Sequence, residues 1–111
     1  MRQAYICGKY SGKTDTEILN NIRSAVDAGK DVLESYGWFP IIPHVSMNHA
    51  PTVTDWNKAM MRCLATIMSL NPAYDCLVLL HNWRQSKGAL LEVALAESLG
   101  IPTIEYAEMH K

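Results

Sequence analysis

No run of about 18 apolar residues occurs in the 111-residue chain, so no segment is suited to span a membrane as a helix. An excess of charge is missing too. Ten basic residues stand against eleven acidic ones, a formal net charge of −1. A generic nucleic-acid binder carries a basic surplus, which argues against polymeric nucleic acid as a partner. Cysteine is scarce and odd in number: Cys7, Cys63 and Cys76, with no CxxC and each within an apolar run. That usage fits buried thiols in a reducing cytoplasm. The first eight residues, Met-Arg-Gln-Ala-Tyr-Ile-Cys-Gly, lack the form of a secretion signal and read as a strand. No linker, internal repeat or low-complexity stretch divides the chain.

What is present is the composition of one globular domain, with 49% apolar and 19% charged residues. The pattern alternates strand and helix. Residues 3–7 form a short apolar run ended by Gly8. Thr14 or Asp15 caps a helix that carries Ile18, Ile22, Ala25, Val26, Val32 and Leu33 at helical spacing and stops at Gly37. Residues 38–42 are a second strand, which Pro40 sends to a sheet edge. A loop over 44–53 leads to a helix capped by Thr54 or Asp55 and running to about Ser69. Residues 75–80 are the most strand-like run, 88–99 a helix stopped by Gly100, and 101–105 a last strand before a short tail. This order implies right-handed crossovers and a mostly parallel α/β sheet of four to five strands. Ligands of such sheets sit at the carboxyl ends of the strands, which directs attention to the loops 8–13, 44–53 and 81–87.

Glu92 is the first anomaly. Its helical neighbours Gly88, Ala89, Leu95, Ala96 and Leu99 are small or apolar, whereas Glu97 points about 140° away. A carboxylate on a packing face is costly unless it is hydrogen-bonded or used. Ser86 is placed to cap the same helix, and with Lys87 and Gly88 it offers a hydroxyl, a cation and amides to an anion. The loop Gly8-Lys-Tyr-Ser-Gly12-Lys-Thr approaches a phosphate-loop pattern but has three residues, not four, before Gly-Lys-Thr. His44 closes the second strand as a candidate substrate contact. His49 and His81 lie in neighbouring loops, and no HxH or HxxxH spacing points to a metal. Tyr10 and Trp83 either line a pocket for a flat ring or cover the core. Lys9, Lys13, Arg84 and Lys87 would give the site a positive mouth. Asp75 reads as a turn or capping residue. Met47, Met60, Met61 and Met68 read as core or interface filler. The apolar coverage of the 54–69 helix exceeds one stripe, which predicts a subunit interface.

Tyr5-Ile-Cys-Gly8 with Gly12, the Pro43-His44-Val45 turn, and Trp83-x-x-Ser-x-Gly-Ala-x-x-Glu92 followed by Ala-x-x-x-Gly-Ile-Pro resemble the nucleoside 2-deoxyribosyltransferase superfamily. Within it, the pieces are most similar to the 2′-deoxynucleoside 5′-monophosphate N-glycosidases and to small bacterial and phage members. The resemblance implies a flavodoxin-like (Rossmann-like) three-layer sandwich, a homodimer or larger assembly, no cofactor and no metal. It implies Glu92 as the nucleophile on the anomeric carbon, with a covalent glycosyl-enzyme intermediate passed to water or to another base. Tyr5 would hold that nucleophile. Gly8, Lys9, Tyr10, Gly12, His44, Trp83, Ser86 and Gly88 would bind a nucleoside or nucleotide. The chain departs from the family at an aspartate that assists the leaving base, where it has Met60, Met61 and Arg62. A C-terminal phosphate-binding extension is also unmatched, with Lys9, Lys13, Arg84 or Lys87 as candidates in its place. The alternative from another class is a non-catalytic binder of a nucleotide or related metabolite.

Overall fold

A computed structural model describes residues 1–46 and 53–110, without the side chains of Ser46, Val53 and Thr54. Strand β1 (Gln3–Cys7) lies at the centre of an all-parallel sheet and pairs with both β2 (Phe39–Ile41) and β3 (Cys76–Leu79), and β3 pairs with β4 (Thr103–Glu105). The order β2-β1-β3-β4 is that of flavodoxin-like sheets through four strands. Pro40, which has no N–H to give a second neighbour, lies in the edge strand as expected.

Side chains of a strand alternate between faces, and that alternation divides the core. Ala4, Ile6, Cys76, Val78 and Leu80 pack under helix α1 (Asp15–Tyr36) through Ala25, Ala28 and Val32. Tyr5, Cys7, Leu77 and Leu79 face the opposite way. They meet Cys63 and Ile67 of helix α3 (Val53–Met68) and Ala89, Val93 and Ala96 of helix α4 (Lys87–Ser98). A right-handed crossover puts its helix on one face or the other according to its direction along the sheet, so the reversal at β1 yields three layers.

Local chemistry explains the helix ends. Thr14 Oγ1 accepts from the Glu17 N–H at 3.1 Å, and Glu17 Oε2 accepts from the Lys13 N–H at 2.7 Å. Gly37 closes α1 in the left-handed region at φ 70°, where a side chain would be strained. Ser86 Oγ caps α4 by accepting from the Ala89 N–H at 3.2 Å.

Several expectations need correction. Val26 and Leu33 are exposed, because the buried stripe of α1 runs Ala25, Ala28, Gly29, Val32 and leaves both on its flank. The chain after β2 is not all loop: Pro43–Ser46 form a short helix, α2, which Pro43 can open because the first helical N–H has no partner to lose. The rest of the expected loop, with Met47 and His49, lies outside the described residues. Helix α3 starts at Val53, so Thr54 and Asp55 fall inside its first turn and not at its cap. A 3-10 turn over Trp83–Gln85 precedes α4. Tyr106 Oη donates to Asp31 Oδ2 at 2.8 Å and Tyr36 Oη donates to the Met109 carbonyl, which dock the last residues on α1. Met61 and Met68 are 69% and 62% exposed, so they are not core filler, and among the described residues nothing covers this outer face of α3.

Asp75, the expected turn residue, ties the two central strands at their amino ends. One carboxylate oxygen accepts from the Gln3 N–H at 2.9 Å and the other from the Asn71 N–H at 2.8 Å. Asp75→Ala removes both acceptors from a buried position, and urea denaturation is expected to show a loss of about 1–3 kcal/mol.

Candidate active site

The site begins with the facing of β1. Tyr5 and Cys7 lie on the α4 side of the sheet, and Glu92 lies on the side of α4 that packs against it. The Tyr5 hydroxyl donates to Glu92 Oε2. Cys7 Sγ stands 3.9 Å from Glu92 Oε1 and 3.8 Å from the Ala89 carbonyl oxygen. Cys63 of α3 is a further hydrogen-bonding neighbour of the Tyr5 hydroxyl. Glu92 is only 6% exposed, so its charge is poorly solvated. Burial therefore lifts its carboxyl to about 7, against the opposing pull of the hydrogen bonds from Tyr5 and Cys7. Burial, and then the neighbouring Glu92 charge, hold the Tyr5 hydroxyl and the Cys7 thiol protonated, and burial does the same for Cys63.

Glu92 borders a cavity of about 110 Å³, where one water needs only about 10–15 Å³. The cavity opens at the carboxyl ends of β1 and β3, where the strand order reverses. One wall is the loop after β1, with Gly8, Tyr10 and Ser11; a second is α2, with Pro43 and His44. Helix α3 adds an apolar side through Trp56, Met60 and Cys63, and the start of α4 supplies Ser86, Gly88 and Ala89. Gly8 is required by contact: a Cβ there would stand 2.8 Å from Leu80 Cβ and 3.0 Å from Asn82 Oδ1.

The loop after β1 is pinned by side chains from three elements. Buried Asn82, just past β3, accepts from the Lys9 N–H at 2.9 Å through Oδ1. Its Nδ2 donates to Asn21 Oδ1 at 3.3 Å, and Asn21 Nδ2 donates to the Tyr10 and Ser11 carbonyls at 3.2 and 3.1 Å. His44 Nε2 meets the Lys9 carbonyl at 3.2 Å. The amides of Lys9 and Lys13 are thus taken by Asn82 and Glu17. A phosphate-binding loop needs such amides free, so the near-match to that pattern finds no support here.

Of the residues singled out from sequence, Gly8, Tyr10, His44, Ser86, Gly88 and Glu92 line one cavity, and Tyr5 joins it through Glu92. Lys9, Gly12 and Trp83 are not among its walls. Trp83 covers the core instead and donates Nε1–H to Glu105 Oε1 at 3.2 Å. Arg84 is not turned to the site either. It packs over the Trp83 ring at 4.5 Å and pairs with Glu105 at 3.3 Å. The Lys87 ammonium lies 4.9 Å over the Trp56 ring, at the cavity's edge. His81 lines a separate shallow groove with Lys9 and Asn82. Asn21, Asn82 and Cys63 were missed. Each looks ordinary in its own segment, and only the apolar stripe of α3 hinted that Cys63 faces inward.

The chain belongs to the family described as a domain of unknown function, DUF4406, whose model matches residues 2–105. Neither a curated protein nor a solved structure matches it.

The Glu92 carboxyl ionises near 4.5 in ordinary surroundings and near 7 in the fold. The unfolded chain therefore sheds this proton first, and stability falls as pH rises from 4.5 to 7. Above 7 the full cost is present, about 3 kcal/mol. Glu92→Gln keeps the shape and an acceptor for Tyr5 but carries no charge. Its Tm is expected to exceed that of the native chain at pH 8, with the gain gone at pH 4. An unchanged or lower Tm at pH 8 contradicts the assigned burial cost.

Proposed function

We propose that this DUF4406 chain cleaves or transfers the N-glycosidic bond of nucleosides or nucleoside 5′-monophosphates. The observation that carries the reading is a buried carboxylate, Glu92, held by Tyr5 at the wall of a cavity at the sheet's switch point. A Glu92 oxygen attacks the anomeric carbon on the face opposite the base. The C–N bond breaks, and its electron pair leaves with the base nitrogen, which takes up a proton. Water, or an incoming base, then attacks the same carbon and gives up a proton to solvent, which balances the one the departing base took from solvent. The ester C–O bond breaks, its electrons return to the Glu92 carboxylate, and configuration is retained.

Tyr5 engages Oε2 and the Cys7 thiol stands 3.9 Å from Oε1, which together hold the carboxylate at the cavity wall. The apolar α3 side suits the flat face of a base. A 5′-phosphate fits the start of α4, where first-turn amides and the Ser86 hydroxyl meet the cavity. The reading extends to a cytoplasmic homodimer or larger assembly that covers Met61 and Met68. Three buried free thiols agree with a reducing compartment. Among the described residues no helix is long and apolar enough to cross a membrane.

One observation favours a second reading, a non-catalytic binder of the same ligands. Among the described residues, Glu92 is the only carboxylic acid lining the cavity, so no second one is there to protonate the leaving base.

Chromatography of base released from deoxynucleosides, ribonucleosides and their 5′-monophosphates decides between the two. Release should fall at least about 10³-fold in Glu92→Gln. Binding without release by the native chain would select the binder.

The nucleophile must be ionised, so kcat/KM should fall tenfold per unit below about pH 7 and level off above it. Tyr5→Phe deletes the bond that lowers the Glu92 pKa, and the acid limb should move to higher pH. A limb that stays put in Tyr5→Phe removes Tyr5 from this role.

A further inference from the structure

A buried charge is ordinarily paired with an opposite one. Glu92 is buried, yet the ion pairs among the described residues, Arg84 with Glu105 and His110 with Asp31, leave it out. The groups that ease its ionisation are Tyr5 and Cys7, both neutral donors. The basic side chains of the neighbouring loops stop short of it. Lys9 lies along the separate groove with His81, and Lys87 rests over the Trp56 ring at the cavity's edge without lining it. His44 does line the cavity, but burial favours its neutral ring. Among the described residues, the carboxylate is therefore the one charged side chain of the wall, and it has no counter-ion. Residues 46–54 add no lysine, arginine, aspartate or glutamate. The second observation is the lack of another carboxylic acid in that wall. Its other protic side chains besides His44 are hydroxyls and the Cys63 thiol, which burial keeps protonated. A neutral base takes up a proton as it leaves, and a positioned acid is worth about 10²- to 10⁴-fold in that step. A base whose ring is already positive needs none.

We infer that the cavity takes an N-glycoside whose glycosidic nitrogen belongs to a cationic ring, a pyridinium or an N7-alkylated purine, and that this charge is the counter-ion of Glu92. The inference rests on the N-glycoside reading above and narrows its substrates. A Glu92 oxygen bonds to the anomeric carbon while the C–N electron pair moves onto the ring and cancels its charge. The base leaves neutral, with no proton taken up. Water then attacks the same carbon and loses one proton to solvent, and the ester C–O electrons return to Glu92. Positive charge stays beside the carboxylate up to the first transition state, moving from the ring toward the anomeric carbon. The missing counter-ion and the missing acid are thus met by one property of the substrate.

The test uses pairs of substrates that differ in the charge of the base. One pair is nicotinamide ribonucleotide and its neutral 1,4-dihydro form. The other is 7-methyladenosine 5′-monophosphate and the unmethylated nucleotide. Base release is followed by chromatography. The cationic member of a pair should be cleaved with a kcat/KM about 10²- to 10⁴-fold above its neutral partner. Whichever pair shows this tells a pyridinium site from an alkylpurine site. On the pyridinium member kcat/KM should stay level from pH 7 to pH 9, since no group has to donate a proton. Calorimetric binding is measured beside it. Glu92→Gln should bind both members of a pair alike, whereas Glu92→Asp, which keeps the charge, should still bind the cationic one more tightly.

Cleavage of the neutral members as fast as the cationic ones overturns the inference and leaves the N-glycoside reading standing. A fall in the pyridinium rate above pH 7 does the same, because it reveals a proton donor in the step. Tighter binding of the cationic members by the native chain, lost in Glu92→Gln and without base release, keeps the ligand class and sinks the catalytic reading alone. Neither release nor a preference for charge in binding sinks both.

Discussion

The Glu92 carboxylate is an ionisable group in a place built for apolar ones, and much of the chain is arranged around that cost. Its helix, α4, packs with small residues at Ala89 and Ala96, which bring its backbone close to the sheet. Close approach lets a strand tyrosine reach the carboxylate. The hydrogen bond from Tyr5 does not cancel the desolvation, because the carboxyl still ionises near 7 and not near 4.5. The fold thus keeps a carboxylate that is poorly solvated and only partly compensated. Such a group gains when something with positive charge, or charge developing, enters the cavity.

The second constraint is the loop after β1. It supplies Gly8, Tyr10 and Ser11 to the cavity, yet a loop of this kind is ordinarily soft. Here Asn82, Asn21 and His44 hold its amide and carbonyls from the segment after β3, from α1 and from α2. The Asn82–Asn21 contact links two of those clamps directly. The cavity's polar wall is therefore fixed by residues from three separate parts of the chain, which reduces the ordering a ligand must impose.

Which parts were legible from sequence follows from the range of the interactions. Glu92 stood out because its misfit is local: one acid among small and apolar residues at helical spacing. Tyr5 followed from resemblance, and its facing from the two-residue period of a strand. Thr14, Ser86, Gly37 and Pro40 act within a few residues or through their own backbone limits, so their roles were readable. Asn82 was not, because its partners lie 61 and 73 positions away and nothing nearby marks it. Trp83 and Arg84 sat in a loop that reaches the site, and their side chains turned instead to Glu105 on β4. Val26 and Leu33 fail for another reason. An apolar helix flank looks the same in sequence whether or not something covers it.

The order of the strands explains why these far-apart residues converge. Because β1 is central and the crossovers leave it in opposite directions, its carboxyl end is flanked by loops from both sides of the sheet. The β2 side sends Pro43 and His44, and the β3 side sends Asn82 and then the start of α4. Glu92 comes one and a half turns into that helix, deep enough to be buried and near enough to share the cavity. Moved one turn further along α4, to position 96, a carboxylate would stand in the apolar core beside Ile101, away from the cavity and from Tyr5. Moved one turn back, to position 88, it would meet Met60 and Ser86 at the helix start, better solvated and with no reason to ionise near neutrality. Position 92 combines burial, the reach of Tyr5 and access to the cavity, and neither neighbouring turn of the helix supplies all three.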